Sequence, residues 1–341
     1  MPIIDADAHV LETERTWSYM AKSEEQYRPR IVRTTDPLGV ENEWWLIDGR
    51  THSKQVNVGH ETPEAAREMA DIQARLRHMD ELGVDVQVLY PTVFLRPITQ
   101  RPEAELALAR SYNRWLADIW AEGKGRLRWA AVLPLMTMDA ALAELRWAKD
   151  HGACAVFVRG LEGDRRLSDP YYFPLFEEAS SLDLPICPHS GNGSFDVHDF
   201  FVDEPGFCKF KLATVGEFHG LIWNDVPGRF PKLRFGFIEL SAQWVPYVLH
   251  DLGRRLARRG RQLGDAPLRD NRIWVACQTD DDLAYVLQYA GADRIIIGSD
   301  YGHNDTSSEI TALQTLKEQG VVSPAVIDKI LDANARALYA L

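Results

Sequence analysis

Ile3-Ile4-Asp5-Ala6-Asp7-Ala8-His9 is the stretch on which the fold turns. A short apolar run gives way, within one strand length, to carboxylates and an imidazole. Side chains alternate along an extended chain, so Asp5, Asp7 and His9 are expected to share one face. Similar runs recur at Val86–Tyr90, Trp129–Leu133, Ala155–Val158, Leu184–Cys187, Leu233–Ile238, Ile273–Cys277 and Arg294–Gly298, eight in all. They are nearly continuously apolar, the pattern of strands buried on both faces. Between them lie stretches with helical character, among them Pro102–Ala121, Met138–Asp150, Pro170–Leu182, Trp244–Arg259, Asp280–Tyr289 and Ser307–Glu318. Eight strand–helix units in succession predict an α/β fold, a closed parallel (β/α)8 TIM barrel with an outer ring of helices. An open doubly wound sheet uses fewer strands and usually a Gly-rich first turn, which this chain lacks. Residues 1–341 therefore read as a single TIM-barrel domain.

Two segments exceed what connections need. Residues 11–62 follow the first strand and contain Glu43-Trp44-Trp45-Leu46-Ile47-Asp48-Gly49-Arg50-Thr51-His52, in which Asp-Gly between β-prone flanks predicts an inserted β-hairpin. Residues 190–212 follow the fifth strand and read as an irregular active-site loop. Both would lie over the carboxyl ends of the strands, where barrels carry their chemistry. Pro324–Tyr339 reads as a closing helix.

Metal-ligating residue types collect at particular strand ends: Asp5, Asp7 and His9, then His189, then Glu239, then Asp300 with Tyr301 and His303. Carboxylates and imidazoles converging in a barrel core are costly unless paired or bound to a cation. One such residue reads as a hydrogen-bonded core group; four strands with the same habit predict a metal site. Composition narrows the rest. With 38 Lys and Arg against 50 Asp and Glu, the net charge of −12 opposes binding to nucleic acid or an anionic membrane. Cys154, Cys187, Cys208 and Cys277 form no Cys-x-x-Cys pair, which fits a reducing compartment. No signal peptide is visible and no apolar run approaches the ~20 residues of a membrane span, so a cytoplasmic protein is expected.

Asp5-Ala6-Asp7-Ala8-His9-Val10-Leu11-Glu12 resembles the opening of the amidohydrolase-2 family, metal-dependent barrels that include aminocarboxymuconate-semialdehyde decarboxylase and related aromatic-acid decarboxylases. Asp80-Glu81-Leu82-Gly83-Val84-Asp85 running into Val86–Thr92 resembles its second unit. Arg229–Arg234 with Glu239 and Trp244-Val245-Pro246 resembles its sixth, and Ser299-Asp300-Tyr301 and Asn334–Tyr339 its closing motifs. The resemblance covers nearly the whole chain. It implies that Asp7, His9, His189 and Asp300 bind metal, although Asp7 stands where many members carry His or Glu. Where the decarboxylases usually place a His for proton transfer, at the end of strand six, this chain has Glu239. It also carries His219 within Gly216-Glu217-Phe218-His219-Gly220, a further ligand in prospect.

Asp7, His9, His189, His219, Glu239 and Asp300 make six candidate ligands, besides Asp5. A single catalytic ion typically uses three or four. The count, and the resemblance to a dinuclear branch (the platensimycin-pathway diiron hydroxylase and 2-aminoisobutyrate hydroxylase), lead to a first expectation. That expectation is an iron or iron/manganese monooxygenase with two divalent metal ions, O₂ and an electron donor, hydroxylating a small organic acid, amino acid or acyl substrate. Glu239 would bridge the metals, and Tyr301 or His303 would supply a proton. The alternative is a mononuclear hydrolase or decarboxylase, with zinc as the candidate ion, acting on a carboxylic acid, with metal-bound water activated by Asp300 or Glu239. A third reading is a non-catalytic relative that binds a partner enzyme of the same fold. Arg96, Arg159 and His198 are candidates for substrate binding. His52 and His60, in the insertion, read as exposed, and His78 as structural. Arg254–Arg261 reads as a solvated basic helix end. Aromatic stretches such as Trp44-Trp45 read as core, pocket wall or subunit interface; the family resemblance implies a homo- or hetero-oligomer with a same-fold subunit.

Overall fold

The first strand, β1 (Ile4–His9), pairs in parallel with β2 (Val86–Tyr90), and the pattern repeats around a ring. In the computed structural model, which describes residues 2–54 and 57–341, β3 (Leu127–Val132), β4 (Ala153–Arg159), β5 (Ile186–His189), β6 (Phe235–Phe237), β7 (Ile273–Cys277) and β8 (Ile295–Ile297) complete an eight-stranded sheet in chain order. Backbone bonds from His9 N to Tyr301 O (2.8 Å) and from Asp300 N to Asp7 O (3.0 Å) tie β8 back to β1, so the sheet closes as a TIM barrel. Each strand is followed by a helix: α1 (Ile72–Glu81), α2 (Pro102–Glu122), α3 (Met138–Asp150), α4 (Phe173–Ser181), α5 (Ala213–Trp223), α6 (Val245–Ala257), α7 (Leu283–Ala290) and α8 (Ala312–Gln319). Burial on both faces accounts for the apolar strands. Every residue of β7 and β8 is buried, each large aliphatic side chain contributing roughly 1.5–3 kcal/mol. Asp71 and Asp282 cap α1 and α7 through Ala74 N and Tyr285 N, and Pro102 opens α2 where no amide partner is needed.

The insertion is a three-stranded antiparallel sheet, Arg30–Thr35, Glu41–Ile47 and Arg50–Ser53. Asp48 (φ 48°) and Gly49 (φ 80°) make its tight turn, the positive-φ pair that suits a two-residue hairpin. Trp45 packs edge-on against Trp17 at 6.2 Å, fastening the sheet to the barrel top. Residues 190–212 are more ordered than an irregular loop. Ser194 caps the helix Phe195–Phe200 through Val197 N, and the Glu204 carboxylate accepts from Gly206 N and Cys208 N (both 3.0 Å), seeding a wide turn that runs into α5. The closing helix is interrupted at Lys329–Ala333, after which Asn334 Nδ2 donates to the carbonyls of Ala292 and Ile295. Among the described residues, no helix is long and apolar enough to cross a membrane.

Closure demands a glycine. A Cβ on Gly298 would lie 2.2 Å from the Asp7 Cβ and 2.8 Å from its backbone nitrogen. We expect Gly298→Ala to destabilise the protein by about 1–3 kcal/mol in chemical denaturation, since backbone cannot move aside as a side-chain tip can. Wild-type stability for this variant would contradict so tight a seam.

Candidate metal centre

All strands are parallel, so their carboxyl ends share one mouth. β1 brings Asp7 and His9, β5 brings His189, and the turns after β6 and β8 bring Glu239 and Asp300 with His303. Every one of these residues is buried. Simple alternation would add Asp5, but β1 departs from it: Asp5 registers with Gln87 and Ala8 with Leu89, a bulge of one extra residue. Asp5 is thereby turned out of the mouth. Its carboxylate accepts from Ser299 N (2.9 Å), Ser299 Oγ (2.6 Å) and Gln87 Nε2 (2.9 Å), leaving no oxygen for an ion. Burial raises its pKa to about 6. Gln87 in turn accepts from Arg75 Nε at 2.6 Å, and Arg75 Nη1 donates to His9 O at 3.2 Å. The expectation that Asp5 ligates metal is corrected accordingly: it braces the backbone beneath Asp300.

Two overlapping sets of ligand atoms each lie within 4.8 Å of one another: Asp7, His9, His189 and Glu239, and His9, Glu239, Asp300 and His303. His9 Nε2 stands 3.5 Å from Asp7 Oδ1, 3.7 Å from Glu239 Oε2 and 3.3 Å from Asp300 Oδ1. His189 Nε2 lies 3.3 Å from Asp7 Oδ1, and its Nδ1 is 3.4 Å from Glu239 Oε2. The imidazoles are set from behind. His9 Nδ1 donates to Pro91 O (3.0 Å) and His189 Nδ1 to Ser190 O (3.1 Å), so each ring in its neutral form presents the Nε2 lone pair to an ion. Without one, burial disfavours the charged rings, but the facing carboxylates outweigh it and raise both imidazole pKa values. Thr92 Oγ1 donates to Val10 O (2.8 Å) and therefore accepts from His303 Nε2 (2.9 Å). The His303 Nδ1 lone pair then faces Asp300 Oδ1 at 2.8 Å. Two acceptors at that distance require a proton or a cation between them.

The same need appears atom by atom. His9 Nε2, Glu239 Oε2, Asp300 Oδ1 and His303 Nδ1 are buried without hydrogen-bond partners, and they converge. A void of about 10 Å³ opens among Asp7, Glu239, Asp300, Ser241 and Cys277, roughly one small sphere. Oxygen and imidazole donors suit a divalent ion such as manganese, iron or zinc. Burial holds the Cys277 thiol well above its ordinary range, so it is no thiolate ligand. Burial would raise the Asp7 pKa, but His189 and then His9 hold it far below the usual carboxylate range. Burial, then the charges of Asp300 and Asp305, push Glu239 well above it. Glu239 (φ 60°), Ser241 (φ 59°) and Asp300 (φ 52°) adopt left-handed backbone, strain that concentrates at functional sites. Asp281 holds the strained turn, accepting from Ser241 Oγ and from Ala242 N at 2.8 Å. Ser308 Oγ donates to Asp300 Oδ2 at 2.5 Å.

Other expected residues lie elsewhere. His219 sits on α5 facing α6, with Nε2 3.2 Å from Asp251 Oδ2, because α5 returns along the outside of the barrel. It is not in the cluster. Tyr301 points outward: its hydroxyl meets His78 Nδ1 at 2.7 Å and its ring lies under the Arg75 guanidinium, 3.5 Å away, so it cannot serve the mouth. Arg159 is committed to Glu162 and to the carbonyls of Phe94 and Arg96, which makes it a brace and not a substrate clamp. His198 lies within the Phe195–Phe200 helix, with its Nδ1 3.5 Å from Asp199 Oδ1. Arg96 lines a cavity over the mouth together with His52 and His60. His52, expected to be exposed, has a buried Nε2, because the hairpin sheet folds it inward. Thr92, Ser308 and Asp281 were not singled out from sequence; Thr92 alone had a visible signal, closing the second-unit motif one residue past Pro91.

The chain belongs to the amidohydrolase family, which it matches over residues 4–341. It is 26% identical over 241 residues to 2-amino-3-carboxymuconate-6-semialdehyde decarboxylase of Dictyostelium discoideum, spanning 68% of this chain and 66% of that protein. It is 32% identical over 142 residues to gamma-resorcylate decarboxylase of Rhodococcus jostii (strain RHA1), spanning 38% of this chain and 43% of that one. The chain thus spans just under two thirds of the first curated relative and less than half of the second. Among solved structures, an amidohydrolase from Mycobacterium avium subsp. paratuberculosis K-10 superposes with a TM-score of 0.78 at 21% identity, covering 99% of both chains. A dihydroxybenzoic acid decarboxylase from Polaromonas sp. JS666, with bound manganese and the inhibitor 2-nitroresorcinol, gives 0.69 at 20% identity, covering 100% of this chain and 97% of that one. These similarities overturn the expected dinuclear iron oxygenase: the relatives are decarboxylases. The O₂ and electron donor go with it. The six-residue count that suggested two metals had included His219, which lies outside the cluster, as does Asp5.

Asp7→Asn and His189→Ala are expected to lower metal affinity by more than the roughly 10–100-fold typical of losing a residue that merely supports a ligand, read by elemental analysis of purified protein. His219→Ala should keep the full metal content. Metal loss in His219→Ala, or retention in Asp7→Asn, would contradict this assignment.

Proposed function

We propose that the protein is a divalent-metal-dependent decarboxylase of a small carboxylic acid, with one ion held by Asp7, His9, His189 and Asp300 and with Glu239 as the proton carrier. The observation that carries this reading is the position of Glu239: last in line after β6, buried among the ligands, its Oε2 unpartnered and aimed into the cluster. That is where decarboxylases of this family usually hold a proton-transfer His, and a carboxylic acid can do the same work. The two decarboxylase relatives support the reaction class, and the manganese in the Polaromonas structure supports the metal.

When bound, the ion supplies a fixed positive charge that orients substrate oxygens and stabilises charge developing on them. The chain supplies the rest. Glu239 gives its proton to the ring or chain carbon as the bond from that carbon to the carboxyl group breaks and CO₂ leaves. Water then restores the proton. His303, stacked on His9 at 3.8 Å and anchored by Thr92, keeps Asp300 in place through the turnover. The hairpin sheet and the Phe195–Phe200 helix limit water at the mouth, linked across it by Arg50 and Asp199 at 3.0 Å.

With manganese-loaded protein and a panel of hydroxybenzoates and unsaturated acids, CO₂ release should be metal-dependent. Glu239→Gln should retain its metal and lose about 10²–10⁴ in turnover. Metal-dependent hydrolysis of esters or amides without CO₂ release, or full turnover in Glu239→Gln, would overturn the reading.

A further inference from the structure

We propose that the acid accepted at this site carries a second carboxylate, remote from the metal and held by Arg96, so that the substrate is a diacid; the inference rests on the metal-centre reading above. Arg96 follows the short turn Val93–Leu95 after β2 and lines a cavity of about 380 Å³ over the mouth, with Glu12, Trp45, His52, Thr92 and Val93 among its walls. The cavity adjoins the metal centre through its walls: His60 also lines a neighbouring space that holds Asp300 and His303. Thr92 is one of its walls and bonds His303, which faces Asp300.

What sets Arg96 apart is the absence of a counter-charge. Several cations around it are paired with carboxylates: Arg159 with Glu162, Arg50 with Asp199, Arg101 with Asp48, Lys54 with Glu43. Among the described residues, no carboxylate lies within ion-pairing distance of Arg96. Burial lowers its pKa, the sign of a cation short of solvent and of partners. The carboxylates of the cavity are committed elsewhere. Glu12 accepts from Thr92 N (3.0 Å) and Val93 N (3.1 Å) and is pushed up to about 7 by burial. Glu64 pairs with Arg67 at 3.6 Å, and burial raises the pKa of Glu68.

His52 faces the same cavity with a buried, unpartnered Nε2. Burial, then the charges of Arg96 and His198, hold its pKa down to about 4, so it is a neutral imidazole free to make one hydrogen bond. It also borders an adjoining space of about 350 Å³ that reaches His198 and Phe195. A guanidinium left unpaired in a confined pocket is costly, and its planar fork matches a carboxylate. Trp45, Val93 and Leu11 give the wall between them an apolar lining for the carbon frame that joins the two acids.

The test is calorimetric binding of unreactive pairs, isophthalate against benzoate and glutarate against butyrate, to manganese-loaded protein. At least one diacid should bind about tenfold or more tighter than its monoacid. Arg96→Gln should remove that gap, with monoacid affinity changing far less, and Arg96→Lys should restore part of it. If neither diacid outbinds its monoacid, or if the gap survives Arg96→Gln, the diacid inference is overturned. If instead the metal-centre reading is at fault, chelation leaves monoacid binding unchanged while the gap still depends on Arg96.

Discussion

Asp7, Glu239 and Asp300 are packed into a buried barrel mouth with ring nitrogens of His9, His189 and His303 pointing among them. Two unit negative charges 4 Å apart repel by about 4 kcal/mol even at an effective dielectric of ~20. The cluster therefore calls for a cation, and the surrounding architecture holds it in that state of need. Parallel strands aim the ligands at one point, and the seam at Gly298 lets β8 lie against Asp7. Carbonyls fix the tautomers of His9 and His189, and Asp281 clamps a strained turn beneath Glu239. In the protein without metal, a proton on Glu239 relieves part of the repulsion, which is why burial and its neighbours raise its pKa.

Much of this was legible in the sequence because it depends on strand periodicity and strand ends. Nearly continuous apolar runs can only be strands covered on both faces, and counting eight of them gives the barrel. Ligands at the ends of β1, β5, β6 and β8 follow from the same count. The misreadings arise where geometry departs from periodicity. A one-residue bulge in β1, invisible in composition, turns Asp5 away from Asp7. His219 belongs to a helix whose direction places it outside the barrel, against Asp251. Arg159 stands at a strand end as Arg96 nearly does, yet Glu162, three residues on, captures it. The inward-facing His52 depended on the register of a hairpin sheet, which the Asp48-Gly49 turn predicted only as a hairpin.

Removing Asp5 and His219 and adding His303 leaves two overlapping groups of four, which the proposed function divides between the ligands of one ion and a proton carrier, Glu239. The decarboxylase relatives point the same way. In the proposed role, a carboxylic acid in place of the usual imidazole would be neutral when loaded and anionic when spent, one charge unit below a histidine, which is cationic when loaded and neutral when spent. An anionic spent state beside Asp300 favours rapid reprotonation. The charge of a bound metal would oppose it.

The most direct test of the metal centre is anomalous diffraction at the manganese edge from manganese-loaded crystals. The account predicts a single peak per chain enclosed by Asp7, His9, His189 and Asp300, with Glu239 alongside. No peak at that position, or two peaks bridged by Glu239, would contradict it.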